Sequence, residues 1–138
     1  MKWDRTFSLS VAVVTTVMNY VFGGFDTALQ TLCLFMVLDY LTGITAAHKN
    51  EDVSSSKCRE GIKRKVAVLV IVAVGVAIDR VTTANGMIRN MVIFFYISME
   101  GISILENTSR MGVPIPEILN KALVQLKEGN KKEKRRDD

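Results

Sequence analysis

Residues 27–47 read TALQTLCLFMVLDYLTGITAA, an apolar run whose one formal charge is Asp39. A helix advances about 1.5 Å per residue and a bilayer's hydrocarbon core is about 30 Å thick, so roughly 20 such residues suffice to cross it. A charge at the centre of such a helix costs about 2.5–3.5 kcal/mol on the insertion scale, so it is seldom placed there without a partner or a wet cavity. The pattern recurs twice, at Asp79 within Val74-Gly75-Val76-Ala77-Ile78-Asp79-Arg80 and at Glu100 within Ile97-Ser98-Met99-Glu100-Gly101-Ile102. The fold class that follows is an all-α integral membrane protein, with its function to be sought among acids inside the bilayer.

Outward from this run, four apolar segments are predicted, at 7–22, 27–47, 66–84 and 87–105. The first is short and carries Ser8, Ser10, Thr15, Thr16 and Asn19, so it is the most polar of the four. Lys2 and Arg5 ahead of it resemble a signal-peptide start, but Val21-Phe22-Gly23-Gly24 is no clear cleavage site, and the segment is read as a retained helix. Gly23-Gly24-Phe25-Asp26 and Thr83-Ala84-Asn85-Gly86 are short turns, because glycine and asparagine accept left-handed backbone angles. The chain therefore reads as two antiparallel hairpins joined by a polar loop, 48–65.

Charge sets the orientation. The chain has 138 residues, 49% of them hydrophobic and 23% charged, with a net charge of +4. Its mean hydropathy is +0.22. The charges are segregated: Lys49, Lys57, Arg59, Lys63, Arg64 and Lys65 in the central loop, and Lys127, Lys131, Lys132, Lys134, Arg135 and Arg136 at the end. The positive-inside rule puts that loop and both termini in the cytoplasm, and an even number of spans is needed to do so. Such clusters face an anionic leaflet; with no aromatic platform or folded basic domain, nucleic acid is not the expected partner. Lys63, Arg64, Lys65 and the basic tail are the expected lipid contacts.

The transmembrane domain is expected over 1–112. Pro114 and Pro116 with Glu117 mark a helix start, and Ile118, Leu119, Ala122, Leu123 and Leu126 share one face, giving an amphipathic cytoplasmic helix over 113–128. Residues 129–138 are too charged to pack and are expected to be disordered.

Each acid shares a helix face with small or polar residues. Asp39 aligns with Gly43, Ala46 and Ala47 (Thr42 adjoins); Asp79 with Gly75 and Thr82 or Thr83; Glu100 with Tyr96, Ser103 and Asn107; and Asn19 with Ser8, Ala12 and Thr15. Small residues let helices approach closely and polar ones hydrogen-bond between them. Asp39 lies about 12 Å and Glu100 about 8 Å from the cytoplasmic ends of their spans, within reach of a snorkelling Lys63, Arg64 or Lys65. Asp79 lies nearer the outer face, with Arg80 and Arg89 as candidate partners. Three roles fit these polar groups: glue between helices or subunits, the lining of an aqueous path, or a proton or ion relay.

His48 is the single histidine, Cys33 and Cys58 lack metal-ligand spacing and read as free thiols, and Ser54-Ser55-Ser56 has no base or glycine elbow. Asn107-Thr108-Ser109 fits a glycosylation sequon but lies on the expected cytoplasmic side. No enzyme, metal or cofactor is expected.

Asp39-Tyr40-Leu41-Thr42-Gly43, then Gly61-Ile62-Lys63-Arg64-Lys65, Ala77-Ile78-Asp79, Ile102-Ser103-Ile104-Leu105-Glu106-Asn107 and Gly112-Val113-Pro114-Ile115-Pro116 resemble, in order and spacing, the toxin-secretion/phage-lysis holin family. The resemblance covers about Leu38 to Leu126. It implies a phage or prophage protein of a Gram-positive host's cytoplasmic membrane that accumulates, then forms homo-oligomeric lesions releasing an endolysin or a large toxin. Family members are often drawn with three spans, whereas the charges here favour four. The competing function is a small ion- or proton-coupled transporter, or its accessory subunit, using Asp39, Asp79 and Glu100; a non-conducting membrane scaffold is a third.

Overall fold

A computed structural model describes residues 2–49, 54–122 and 124–125. Four long helices make up the described chain: α1 (Lys2–Phe22), α2 (Thr27–Lys49), α3 (Ser55–Thr82) and α4 (Met87–Arg110). Their ends follow from local chemistry. Asp26 caps α2, its Oδ1 accepting from the Leu29 N–H at 3.0 Å. Ser54, in extended backbone, caps α3 by accepting from the Lys57 N–H. Thr83, Asn85 and Gly86 all take positive φ, which ends α3 and reverses the chain into α4. Gly112, at φ 87°, closes α4 ahead of Pro114.

α4 is the central helix, packing against α2 on one side and α3 on the other. Contacts near both ends set the directions: Asp26 of α2's cap meets Arg89 of α4, and Asp39 meets Asn107, so α2 and α4 run parallel. Asp79 meets Arg89 and Lys65 meets Glu100, so α3 opposes both. The core is thin, formed by Leu29, Leu32 and Met36 of α2, Val68 and Val72 of α3, and Ile93 and Ile97 of α4. These recur at three- and four-residue spacing, one buried stripe per helix.

The remaining apolar residues point outward. Leu34, Val37 and Leu41 on α2, Val66, Val70, Ile71 and Val74 on α3, and Phe94 on α4 are exposed. A water-soluble monomer seldom leaves so large an apolar surface uncovered. By length and composition, α2 and α4 are the two described helices apolar enough to cross a membrane. In α3 the apolar run is bracketed by Lys65 and by Asp79-Arg80, and α1 carries Lys2, Asp4 and Arg5 ahead of its apolar part.

Two sequence expectations change. The central loop is far shorter than 48–65: α2 continues to Lys49 and α3 begins at Ser55, so 55–65 form three helical turns. The Ser54 cap and a run of Lys, Arg and Glu, all good helix formers, outweigh the high charge. α3's 28 residues span about 42 Å, longer than a hydrocarbon core. Secondly, the first hairpin is not packed. α1 touches α3 and not α2, and residues 3–20 are exposed throughout. Of the expected amphipathic helix, 117–122 are helical, with Lys121 paired to Glu117 at 2.7 Å and Ile118 and Leu119 exposed. The basic tail, including Lys131, Lys132, Lys134, Arg135 and Arg136, lies outside the described residues.

Candidate functional site

Two polar clusters lie inside the bundle, one toward each end. The first joins three helices through Lys65 of α3. Its Nζ lies 2.7 Å from Asp39 Oδ2 on α2 and 2.5 Å from Glu100 Oε2 on α4. Side-chain exposures are 16%, 17% and 13% respectively, so little solvent would screen the charges. Asn107, two turns beyond Glu100, completes the cluster. Its Nδ2 donates to Asp39 Oδ1 at 3.0 Å and lies 3.2 Å from Thr42 Oγ1 and 3.3 Å from the Asp39 carbonyl. Thr42 donates to the Leu38 carbonyl, which leaves its oxygen free to accept. Gly43 lies against this group: a Cβ there would meet Asn107 Nδ2 at 3.5 Å, an ordinary contact distance.

The second cluster gathers at the 83–86 turn. Asp79 Oδ1 accepts from the Ile88 N–H at 3.0 Å and Oδ2 from the Arg89 N–H at 2.7 Å. The helix dipole adds to these bonds, since a carboxylate at a helix N-terminus meets partial positive charge. α4's own N-cap, Gly86, has no side chain to do this, and Asp79 supplies the cap from the preceding helix. Arg89, 5% exposed, turns its guanidinium the other way. Nη1 and Nη2 grip the Asp26 carboxylate at 2.8 and 3.0 Å, while Nε donates to the Phe22 carbonyl at 2.5 Å and Nη2 to that of Gly24 at 3.1 Å. This grip holds the Asp26 carboxyl below its ordinary 3.8, with the Leu29 N–H adding to the effect against some desolvation. Gly75 faces α4: a Cβ there would meet Val92 at 3.4 Å and the Arg89 backbone at 3.5 Å, ordinary contact distances.

The structure therefore corrects the pairing expected for Asp79. Neither arginine side chain neutralises it: Arg89 serves Asp26, and Arg80 donates to the Tyr20 carbonyl while stacking 4.3 Å over the Tyr20 ring. Backbone N–H groups, invisible as charges in a sequence, take their place. Of Lys63, Arg64 and Lys65, it is Lys65 that reaches the acids; the other two are exposed. Asn19 is exposed on α1 and donates to the Thr15 carbonyl of its own helix, so it joins neither cluster. Ser103 is half-buried on α4 between the turns of Glu100 and Asn107. Asp26, expected only as the end of a turn, is the missed member; its position just before an apolar run is an N-cap signal. Among the described residues no group of His, Cys, Asp and Glu is placed to hold a metal ion.

Apolar helices turned outward around internally paired charges fit a helical membrane protein. The comparisons narrow the class. The model of a bacteriophage holin family matches residues 16–128, most of the chain. The "Probable holin" of Bacillus phage phi105 is 31% identical over 136 residues, covering 99% of this chain and 96% of the phage protein. The chain belongs to the bacteriophage holin family. Relatives in bacteria include an "Uncharacterized 14.9 kDa protein in nagH 3'region" of Clostridium perfringens, 45% identical over 96% of this chain and 95% of its own length. A Listeria monocytogenes protein is 38% identical over 86% of each chain. No solved structure matches. Membership implies a non-enzymatic protein of the cytoplasmic membrane, and the two long apolar helices are compatible with that.

Proposed function

We propose that this protein is a holin that assembles with copies of itself in the cytoplasmic membrane and opens lesions through which an endolysin, or a large toxin, leaves the cell. The observation that carries the reading is the Lys65–Asp39–Glu100 cluster, which places charge inside a thin bundle whose outer faces are apolar. A lesion-former needs polar groups that pair with each other at rest and can face water or a neighbouring subunit after rearrangement. Asp39, Thr42, Glu100, Ser103 and Asn107 form such a stripe, and Gly43 lies against its Asn107 end. In this reading the chain is multi-pass with both termini in the cytoplasm, and exposed Lys63 and Arg64 contact anionic headgroups. Asp79 and Arg89 tie the opposite end.

Inducible expression in a bacterium, with and without a co-expressed cytosolic endolysin, tests this. Culture density and membrane potential are followed together. Sudden depolarisation, with lysis only when endolysin is present, supports a lesion that passes folded protein. Steady growth with the protein verified in the membrane overturns the reading.

A further inference from the structure

The Lys65 cluster does not balance its charges. Two carboxyl groups, Asp39 and Glu100, share one ammonium, and the remaining members, Asn107 and Thr42, are neutral. If both acids were ionised, the cluster would hold a net negative charge among side chains that are each less than a fifth exposed. Among the described residues, the ion pairs of both acids are with Lys65. On α2, Tyr40 adjoins Asp39 and faces Gly61, while His48 and Lys49 are exposed, Lys49 donating to the Met111 carbonyl. On α3, Lys57, Arg59, Glu60, Lys63 and Arg64 are exposed. On α4, Tyr96 precedes Glu100 by one turn, and Glu106 and Arg110 are exposed; α1, which packs on α3 and meets Arg89 of α4 at Phe22, carries exposed Asp4 and Arg5 at its start.

The hydrogen bonds also distinguish the two acids. Asp39 receives a donor on each oxygen, Lys65 on Oδ2 and Asn107 on Oδ1. Glu100 receives Lys65 on Oε2. Both acids thus lie on the same ammonium nitrogen, at 2.7 and 2.5 Å. Two acids so placed share a proton more readily than they both ionise.

We propose that the Asp39–Lys65–Glu100 cluster is a proton-binding site that holds one proton, carried on Glu100, in the resting bundle. The proton makes the cluster neutral: one carboxylate, one ammonium, one carboxylic acid. The ligand is a proton taken from water, and no other reactant is needed.

Infrared spectroscopy of the full-length protein in phosphatidylethanolamine–phosphatidylglycerol vesicles at neutral pH reads this directly, through the carbonyl stretch of a protonated carboxyl. The expected result is a single such band that shifts when glutamate carries carbon-13 in its side-chain carboxyl and stays put when aspartate does. Charge counting extends the prediction: Glu100→Gln and Asp39→Asn both lose the band, since each leaves one acid with one ammonium, whereas Lys65→Gln raises it about twofold. Absence of the band in the unsubstituted protein, or a band that follows the aspartate label, overturns the proposal. The labelling result needs no variant to fold. The site also stands apart from lesion formation, because the spectrum is taken on resting protein: a chain that shows the band but never lyses cells keeps the site and loses the holin reading.

Discussion

Asn107 shows how one neutral side chain can tie a carboxyl group between two helices. Its amide joins α4 to Asp39 and Thr42 of α2. Asn107→Ala leaves Asp39 Oδ1 without that donor, and an unsatisfied buried polar atom costs about 1–3 kcal/mol. The expected outcome is a lower thermal midpoint in lipid or detergent, with Gln unable to restore it because the longer side chain must crowd Gly43. Asp26 gives a pH-dependent case. Arg89 holds its carboxyl below the ordinary 3.8 in the folded protein, so the pair stabilises fully above that value. The contribution falls away as the pH drops through the lower folded value. Asp26→Asn keeps a capping oxygen but loses the ion pair. Its stability deficit should be largest near neutrality and vanish in strong acid, as read by melting over a pH series.

The boundaries of α3 and α4 depend on bonds made between elements. Asp79 belongs to α3, yet its two oxygens cap α4. Asp79→Ala should cost about 0.5–2 kcal/mol, the range for lost caps, and hydrogen exchange should speed up first at the amides of Ile88 and Arg89. A merely global destabilisation would raise exchange through α4 evenly. Gly75 tests the same interface from the other side. Ala at this position meets Val92 at ordinary contact distance, whereas Leu must push α4 away and should disturb Arg89's bonds to Phe22 and Gly24. Crosslinking between α3 and α4 distinguishes them: Gly75→Ala should crosslink like the parent, Gly75→Leu markedly less. α3 also explains why the charged stretch after Ser54 is helix and not loop. Its first turns are highly charged, which reads as loop, but Ser54's cap and the helix-forming Lys, Arg and Glu residues extend the helix past the apolar run.

For the molecule as a whole, the thin core and the internal ion cluster have to be weighed together. Removing one partner of a buried ion pair costs about 3–5 kcal/mol, while removing both costs less. Lys65→Gln should therefore destabilise more than the Lys65→Gln/Asp39→Asn double variant, and a double-mutant cycle on thermal unfolding measures the coupling. In cells, if the proposed function holds, Asp39→Asn and Glu100→Gln should shift the onset of lysis under inducible expression; unchanged timing with an unchanged crosslinking pattern would remove the cluster from the proposed lesion-forming step. The apolar outer faces of α2, α3 and α4 are the surfaces on which lipid or another copy must sit.

Much of this architecture was legible without coordinates, because helix formation and lipid compatibility depend on local composition. The apolar runs, the turns at Gly23-Gly24 and Asn85-Gly86, and the anomalous Asp39, Asp79 and Glu100 are all visible in order along the chain. What residues pair with those acids is not a local property. Lys65 lies 26 positions from Asp39 and 35 from Glu100, and Arg89 lies 63 from Asp26. Only the packing of α4 between α2 and α3 brings these groups within a few ångströms. That packing gave Asp79 two backbone donors in place of the arginines beside it in sequence, and left Asn19 on an exposed α1. Sequence determined which charges had to be buried; the tertiary structure chose their partners, since desolvation is satisfied by whichever donor the helix contacts bring nearest.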